Sequence, residues 1–246
     1  MSKKRGKTMI YEQEFNMMLE DIDKNAYITN KAILRYFENV ATYHSDSVGS
    51  GIKGVEITGR TWIVLDWRVK ILKRIRYGKL KVRTWSRGAT KFFAFRDYEL
   101  LNSDGEVCAI GTSRWILRDI EKGKMTLLNE DLIKIYQGED RAVFPDEEFE
   151  KILEPNSFSN EIEYTTMRRD IDFNGHMHNL YHFDLAYDTL PRDIYENYVF
   201  DNFRITYKKE IKLGETVKCR YSFSENKHIV YISNANGNMN SIIQLW

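Results

Sequence analysis

The chain has 246 residues and 29.2 kDa, of which 42% are hydrophobic and 13% aromatic, enough for a substantial core. Charged residues make up 30% but nearly cancel to a formal +1, which argues against global disorder and against a nucleic-acid binder. No apolar run approaches the roughly 20 residues of a membrane span, the basic start 1–7 precedes no signal-like apolar stretch, and Cys108 and Cys219 form neither a C-x-x-C pair nor a disulfide framework. These features predict a cytoplasmic protein with no stable membrane insertion.

Residues 8–19 read as a strand and 20–30 as a turn. Thr29 is a candidate N-cap. Ile33, Phe37, Val40 and His44 then recur at helical spacing, predicting a helix that ends near the glycine cluster at 49–54. From Arg60 the period changes. Runs at 60–77, 79–87, 91–101 and 106–118 are rich in β-branched and aromatic side chains, and Gly78, Gly88 and Asp104-Gly105 punctuate them as hairpin signals. Trp62, Trp67, Trp85 and Trp115 in these runs are expected in the core. A short helix at 129–137 follows.

Residues 138–160 are acidic and polar and hold Pro145 and Pro155, which marks a linker. The pattern then restarts: a strand at 161–167, a turn at 170–179, a helix at 177–190 stopped by Pro191, and strands near 199–211, 215–224, 227–233 and 239–246. The expected organisation is a unit at 1–137, a linker at 138–160 and a unit at 161–246.

The two halves are copies of one plan. DIDKNAYITN at 21–30 aligns without gaps with DIDFNGHMHN at 170–179, 149 residues later, and Gly78 aligns with Gly214 at an offset of 136. The fold class is therefore α+β, built as two units that each lay a long helix against a curved antiparallel sheet. Position by position, Asp172 faces Asp23, Asn174 faces Asn25, His176 faces Tyr27 and Glu210 faces Arg74. Only the second copy has a side chain that titrates near neutral pH together with a carboxylate to partner it. One active site, if there is one, belongs to the second copy. Such residues suit hydrolysis of an activated acyl group: a carboxylate or His takes a proton from water, and amides at Gly175 and at the helix entry near Met177 are expected to serve the oxyanion.

Asp172-x-Asn174-x-His176, with Asn179 and Tyr181 beyond, resembles the signature of acyl-acyl-carrier-protein thioesterases of the plant and bacterial oleoyl-ACP hydrolase type. In that family a Glu follows within Tyr-Arg-Arg-Glu-Cys; here Glu210 comes 34 residues after His176, in Tyr207-Lys208-Lys209-Glu210-Ile211. Ser47-Val48-Gly49, Thr84-Trp85, Phe95-Arg96-Asp97 and Thr112-Ser113-x-Trp115 are similar to the same enzymes, so the resemblance covers roughly residues 8–246. It implies a tandem hotdog fold, a degenerate N-terminal half, and release of free fatty acid from a fatty acyl chain on acyl carrier protein in fatty acid biosynthesis. The implied catalytic set is Asp172, Asn174, His176 and Glu210, with no cofactor and no metal. Ile211 replaces the family's Cys, which excludes a thiolate there and favours direct attack by water.

Competing readings remain in view. Asp172 and Asn174 can simply cap a turn. His178 and His182, one helical turn apart, have metal-ligand spacing, but no third ligand is evident. Arg68, Lys70, Lys73, Arg74, Arg76, Lys79, Lys81 and Arg83 form either a solvated strand face or a docking patch for acidic carrier protein. A hotdog acyl-CoA thioesterase and a non-catalytic acyl-ligand-binding protein are the alternative functions. Oligomeric state is open, a homodimer being one option.

Overall fold

The computed structural model describes residues 9–144 and 149–246; the basic segment 1–7 and Pro145 lie outside the described residues. The chain divides into two compact units, Met1–Glu147 and Glu148–Trp246.

The first unit runs β1 (Tyr11–Asn16), α1 (Asn30–Ser47), α2 (Val55–Thr58), β2 (Arg60–Ile71), β3 (Lys79–Ala89), β4 (Ala94–Leu101), β5 (Val107–Asp119), β6 (Lys124–Thr126) and α3 (Glu130–Ile135). Its antiparallel sheet has the order β1-β3-β4-β5-β2, with β6 beside β5. Thr29 caps α1, its Oγ1 accepting from Ala32 N at 3.1 Å. Ile33, Phe37, Val40 and His44 are all buried along one stripe of the helix, as their spacing predicts. The Phe37 ring stacks on Trp67 and Tyr98 at 6.3 and 4.9 Å between centroids. Gly111 permits this approach, because a Cβ there would stand 2.6 Å from the ring. Trp67 and Trp85 are fully buried, while Trp62 and Trp115 are half-buried; burying each large side chain contributes on the order of 2–3 kcal/mol.

The polar stretch after α3 is fastened to this unit's sheet. Glu139 N donates to Ser86 O at 2.9 Å, Val143 N to Asp97 Oδ2 at 2.9 Å, and Trp85 Nε1 to Arg141 O at 2.7 Å. Gly138 is required at its start, since a Cβ would meet Ser86 O at 2.7 Å.

The second unit runs β7 (Asn160–Thr165), α4 (Asn179–Thr189), α5 (Arg192–Asn197), β8 (Asn202–Tyr207), β9 (Thr216–Ser224), β10 (Lys227–Asn234) and β11 (Met239–Leu245). Its sheet order, β7-β9-β10-β11-β8, reproduces that of the first unit strand for strand. α4 buries Leu180, Phe183, Leu185 and Ala186, and Phe183 meets Phe203 edge-on at 5.0 Å. Before β7, Ile152 packs with Ile229, Tyr231 and Ile242.

The expected strand near 199–211 is shorter than its pattern suggested. Pro191 starts α5 rather than merely ending α4, and β8 stops at Tyr207. The glycine alignment also needs correction. Met17 N donates to Gly78 O, but its counterpart Thr166 N donates to Glu215 O, so Gly78 corresponds to Glu215 and not to Gly214. Upstream, Ile28 N donates to Ile75 O and Met177 N to Ile211 O, while Tyr27 bridges Arg76 and His176 bridges Lys212. The offset of 136 therefore holds through Lys212, and one extra residue enters the second unit between Lys212 and Glu215. The pairing of Glu210 with Arg74 lies upstream of that insertion and stands.

Candidate active site

The turn before α4 is built by two aspartates. Asp170, 1% exposed, accepts on Oδ2 from Met167 N at 2.7 Å and from the Tyr164 hydroxyl at 2.6 Å; the carboxylate holds the Tyr164 hydroxyl above its ordinary pKa. Asp172 Oδ1 accepts from Asn174 N at 2.8 Å and His176 N at 3.3 Å, and its N–H donates to His176 O at 2.8 Å. Gly175 takes φ +81°, which suits glycine. The first copy closes the same turn: Asp23 Oδ1 accepts from Asn25 N and Tyr27 N at 2.8 and 3.0 Å, with Ala26 at φ +63°. This shared fastening makes the Asp172 carboxylate a turn-former, whose bonds among the described residues go to the loop's own amides and not to the His176 ring.

What the turn presents differs between copies. In the second unit His176 Nε2 lies 3.1 Å from Glu210 Oε2, both side chains partly exposed at 24% and 36%. In the first, Tyr27 stacks under the Arg76 guanidinium at 5.4 Å, and Arg74 Nη1 donates to Asn30 Oδ1 at 2.7 Å. Asn174 is exposed, and its side-chain amide has no hydrogen-bond partner among the described residues. Structure thus brings His176 and Glu210 into contact, with Asp172 shaping the loop and Asn174 at its tip. Glu210 arrives from the segment after β8, not from the strand that the sequence pattern suggested.

The expected oxyanion donors are corrected. Gly175 N–H is bonded to Asp172 O at 3.0 Å and Met177 N–H to Ile211 O at 2.8 Å, so neither amide is open to a ligand. His178 is the N-cap of α4, its Nδ1 accepting from Leu180 N at 3.2 Å, the duty that Thr29 performs in α1. His182 is 3% exposed, bonded through Nδ1 to Ser241 Oγ at 2.8 Å; burial pushes its pKa down to about 4. Among the described residues no group of three His, Cys, Asp or Glu could hold a metal ion. Both cysteines are free and buried, and burial drives the Cys219 thiol up to about 12.

The basic run is partly neutralised within its own unit. Lys73 pairs with Glu106 at 2.6 Å, Lys81 with Glu12 at 2.9 Å and Arg83 with Glu12 at 2.6 Å. Arg68 lies over the Phe144 ring at 4.1 Å and Arg74 reaches Asn30. Lys70, Lys73, Arg76 and Lys79 are the exposed members, and of these only Lys73 is in an ion pair among the described residues. No helix of the described residues is long and apolar enough to cross a membrane.

Two units with the same order of five paired strands and one long helix each, with a His–Glu pair in the second where the first has Tyr27 and Arg74, define a tandem hotdog protein. Residues 8–136 match the acyl-ACP thioesterase N-terminal domain and 153–245 the C-terminal domain, and the chain belongs to the acyl-ACP thioesterase family. Chloroplastic oleoyl-acyl carrier protein thioesterase 1 of Arabidopsis thaliana is 21% identical over 224 residues, which is 84% of this chain and 62% of the relative. Chloroplastic dodecanoyl-[acyl-carrier-protein] hydrolase of Cinnamomum camphora is 22% identical over 231 residues, covering 85% of this chain and 58% of the relative. The chain thus spans only about three-fifths of the length of these curated relatives. In fold it matches an acyl-ACP thioesterase from Bacteroides thetaiotaomicron, with TM-score 0.85, 21% identity and 96% of each chain covered. The 12:0-ACP thioesterase of Umbellularia californica matches equally in TM-score and coverage, at 16% identity.

Proposed function

We propose that the protein hydrolyses the thioester of fatty acyl-acyl carrier protein, releasing free fatty acid and holo carrier protein. The observation that carries this reading is the 3.1 Å contact of His176 Nε2 with Glu210 Oε2, which in the first copy is replaced by Tyr27 and Arg74. His176 and Glu210 together accept a proton from water as its oxygen bonds to the thioester carbonyl carbon. The C–S bond then breaks, and the proton passes to the departing thiolate. Asn174, exposed at the tip of the turn, positions water or the carbonyl; Asp172 holds the turn that carries His176. Ile211, fully buried beside Glu210, offers no nucleophile, so water attacks directly.

The same proposal places carrier-protein docking on the basic run, with Lys70, Arg76 and Lys79 as exposed charges outside any ion pair among the described residues. It also places the protein in the cytoplasm, where its two free buried cysteines suit a reducing compartment.

Steady-state hydrolysis across an acyl-ACP chain-length series, with the matching acyl-CoA series beside it, tests the reading. Turnover of acyl-ACP that disappears in Glu210→Gln is expected. Turnover of acyl-CoA alone would replace the substrate class, and binding of acyl chains with no turnover of either would remove the enzyme reading.

A further inference from the structure

Glu210 stands outside the sheet. β8 ends at Tyr207, and residues 208–210 continue without a strand partner. What grips this segment is Asn240. Its carbonyl accepts from Lys208 N at 2.7 Å and Lys209 N at 3.1 Å, and its Nδ2 lies 3.3 Å from both Lys209 O and Glu210 O. Two carbonyl oxygens are met only by a donor, which fixes the orientation of the amide. Oδ1 is consequently buried with no hydrogen-bond partner among the described residues, in a residue 1% exposed. That arrangement is a cost that an apolar side chain of similar size would avoid.

The first unit supplies an internal control. In β10–β11, Ile232 pairs with Ser241 and Ser233 with Met239, which leaves Asn240 as the extra residue of a β-bulge. In β4–β5, Leu100 pairs with Ala109 and Leu101 with Val107, which leaves Cys108 in the same role. The Cys108 carbonyl accepts from Leu72 N at 2.8 Å and Lys73 N at 3.0 Å, the equivalents of Lys208 and Lys209. The backbone device is therefore identical, and the side chains alone differ: Cys108 Sγ turns to Glu106 O at 3.3 Å. The copy that carries Arg74 has Cys in the bulge, and the copy that carries Glu210 has Asn. Holding the backbone needs no side-chain amide. The amide of Asn240 is an addition made where a carboxylate must be aimed.

We infer that Asn240 is a positioning residue: its side-chain amide fixes the Glu210 carbonyl and thereby holds the Glu210 carboxylate against His176. Its effect on rate rests on the thioesterase reading above; its effect on geometry does not.

Asn240→Cys installs the side chain that the first unit tolerates in this bulge, and Asn240→Leu an apolar one of similar size. Both variants are expected to keep the wild-type thermal midpoint or exceed it. KM for acyl-ACP should stay unchanged while kcat falls about 10- to 100-fold, the scale of a misplaced catalytic group. Independently of any substrate, the His176 ring resonances in NMR spectra should move toward those of Glu210→Gln. Wild-type kcat in both variants would overturn the inference, as would His176 resonances that stay at their wild-type positions. Unfolding of Asn240→Cys would overturn it too, because the amide would then serve the scaffold. Should the wild type hydrolyse no thioester, the resonance shift alone still decides the positioning claim.

Discussion

Arg74 donates to Asn30 Oδ1 at 2.7 Å in the first unit, and the equivalent positions in the second are Glu210 and Asn179. Exchanging the guanidinium for a carboxylate reverses what this position can bind. Arg74 turns to the start of its helix, and Glu210 turns to His176. One substitution of charge converts a contact with the helix start into half of the His176–Glu210 pair.

Glu210→Gln and His176→Ala should each lower kcat by about 10²- to 10⁴-fold, the range of a lost general acid–base group. Both side chains are partly exposed, so thermal midpoints should change little. Activity close to wild type in either variant would remove the pair from the mechanism.

The docking proposal separates the basic run by its existing partners. Lys70→Glu with Lys79→Glu reverses charges that make no ion pair among the described residues. KM for acyl-ACP should rise about tenfold, more strongly at low salt, while acyl-CoA turnover is spared. Equal loss on both substrates would place the carrier protein elsewhere.

Buried His182 makes stability depend on pH. Its ring takes a proton near 6.5 in the unfolded chain but only near 4 in the folded one. Below 6.5 the unfolded state therefore binds more protons, and stability falls with acidification until about pH 4. The full effect is on the order of 3 kcal/mol. Buried His44, pushed down to about 3 by desolvation and the nearby Arg96, acts in the same direction. Unfolding free energies measured from pH 4.5 to 7.5 should show a steeper rise for the wild type than for His182→Gln. Parallel curves would contradict the burial argument.

Gly111→Ala should destabilise the first unit by about 1–3 kcal/mol. The added Cβ would press on a Phe37 ring already held by Trp67 and Tyr98. Adding Phe37→Leu should recover part of the loss, so a denaturant double-mutant cycle that is strictly additive would refute the contact.

Much of this was legible in the chain. The two DID strings found the repeat, and the repeat singled out His176 and Glu210 because their counterparts Tyr27 and Arg74 lack the chemistry. The helical stripe from Ile33 to His44 is buried as its spacing requires. Short elements were not legible: α5 has six residues and β6 three, too few for a period to show. The cap made by His178 was missed because histidine is an unusual capping residue. The occupied amides of Gly175 and Met177 could not be foreseen, since their acceptors depend on how the turn closes. Asn240 was invisible for a related reason. A bulge is a property of two paired strands, and its hold on residues 30 positions earlier leaves no local pattern.

The extra residue between Lys212 and Glu215 records a change of length that the scaffold has already survived. It falls beyond the bridge of His176 with Lys212, at a turn where Gly214 takes φ +78°. That turn is the natural place to lengthen the connection from β8 to β9, with a reporter or a tether, while the His176–Glu210 pair behind it stays in register.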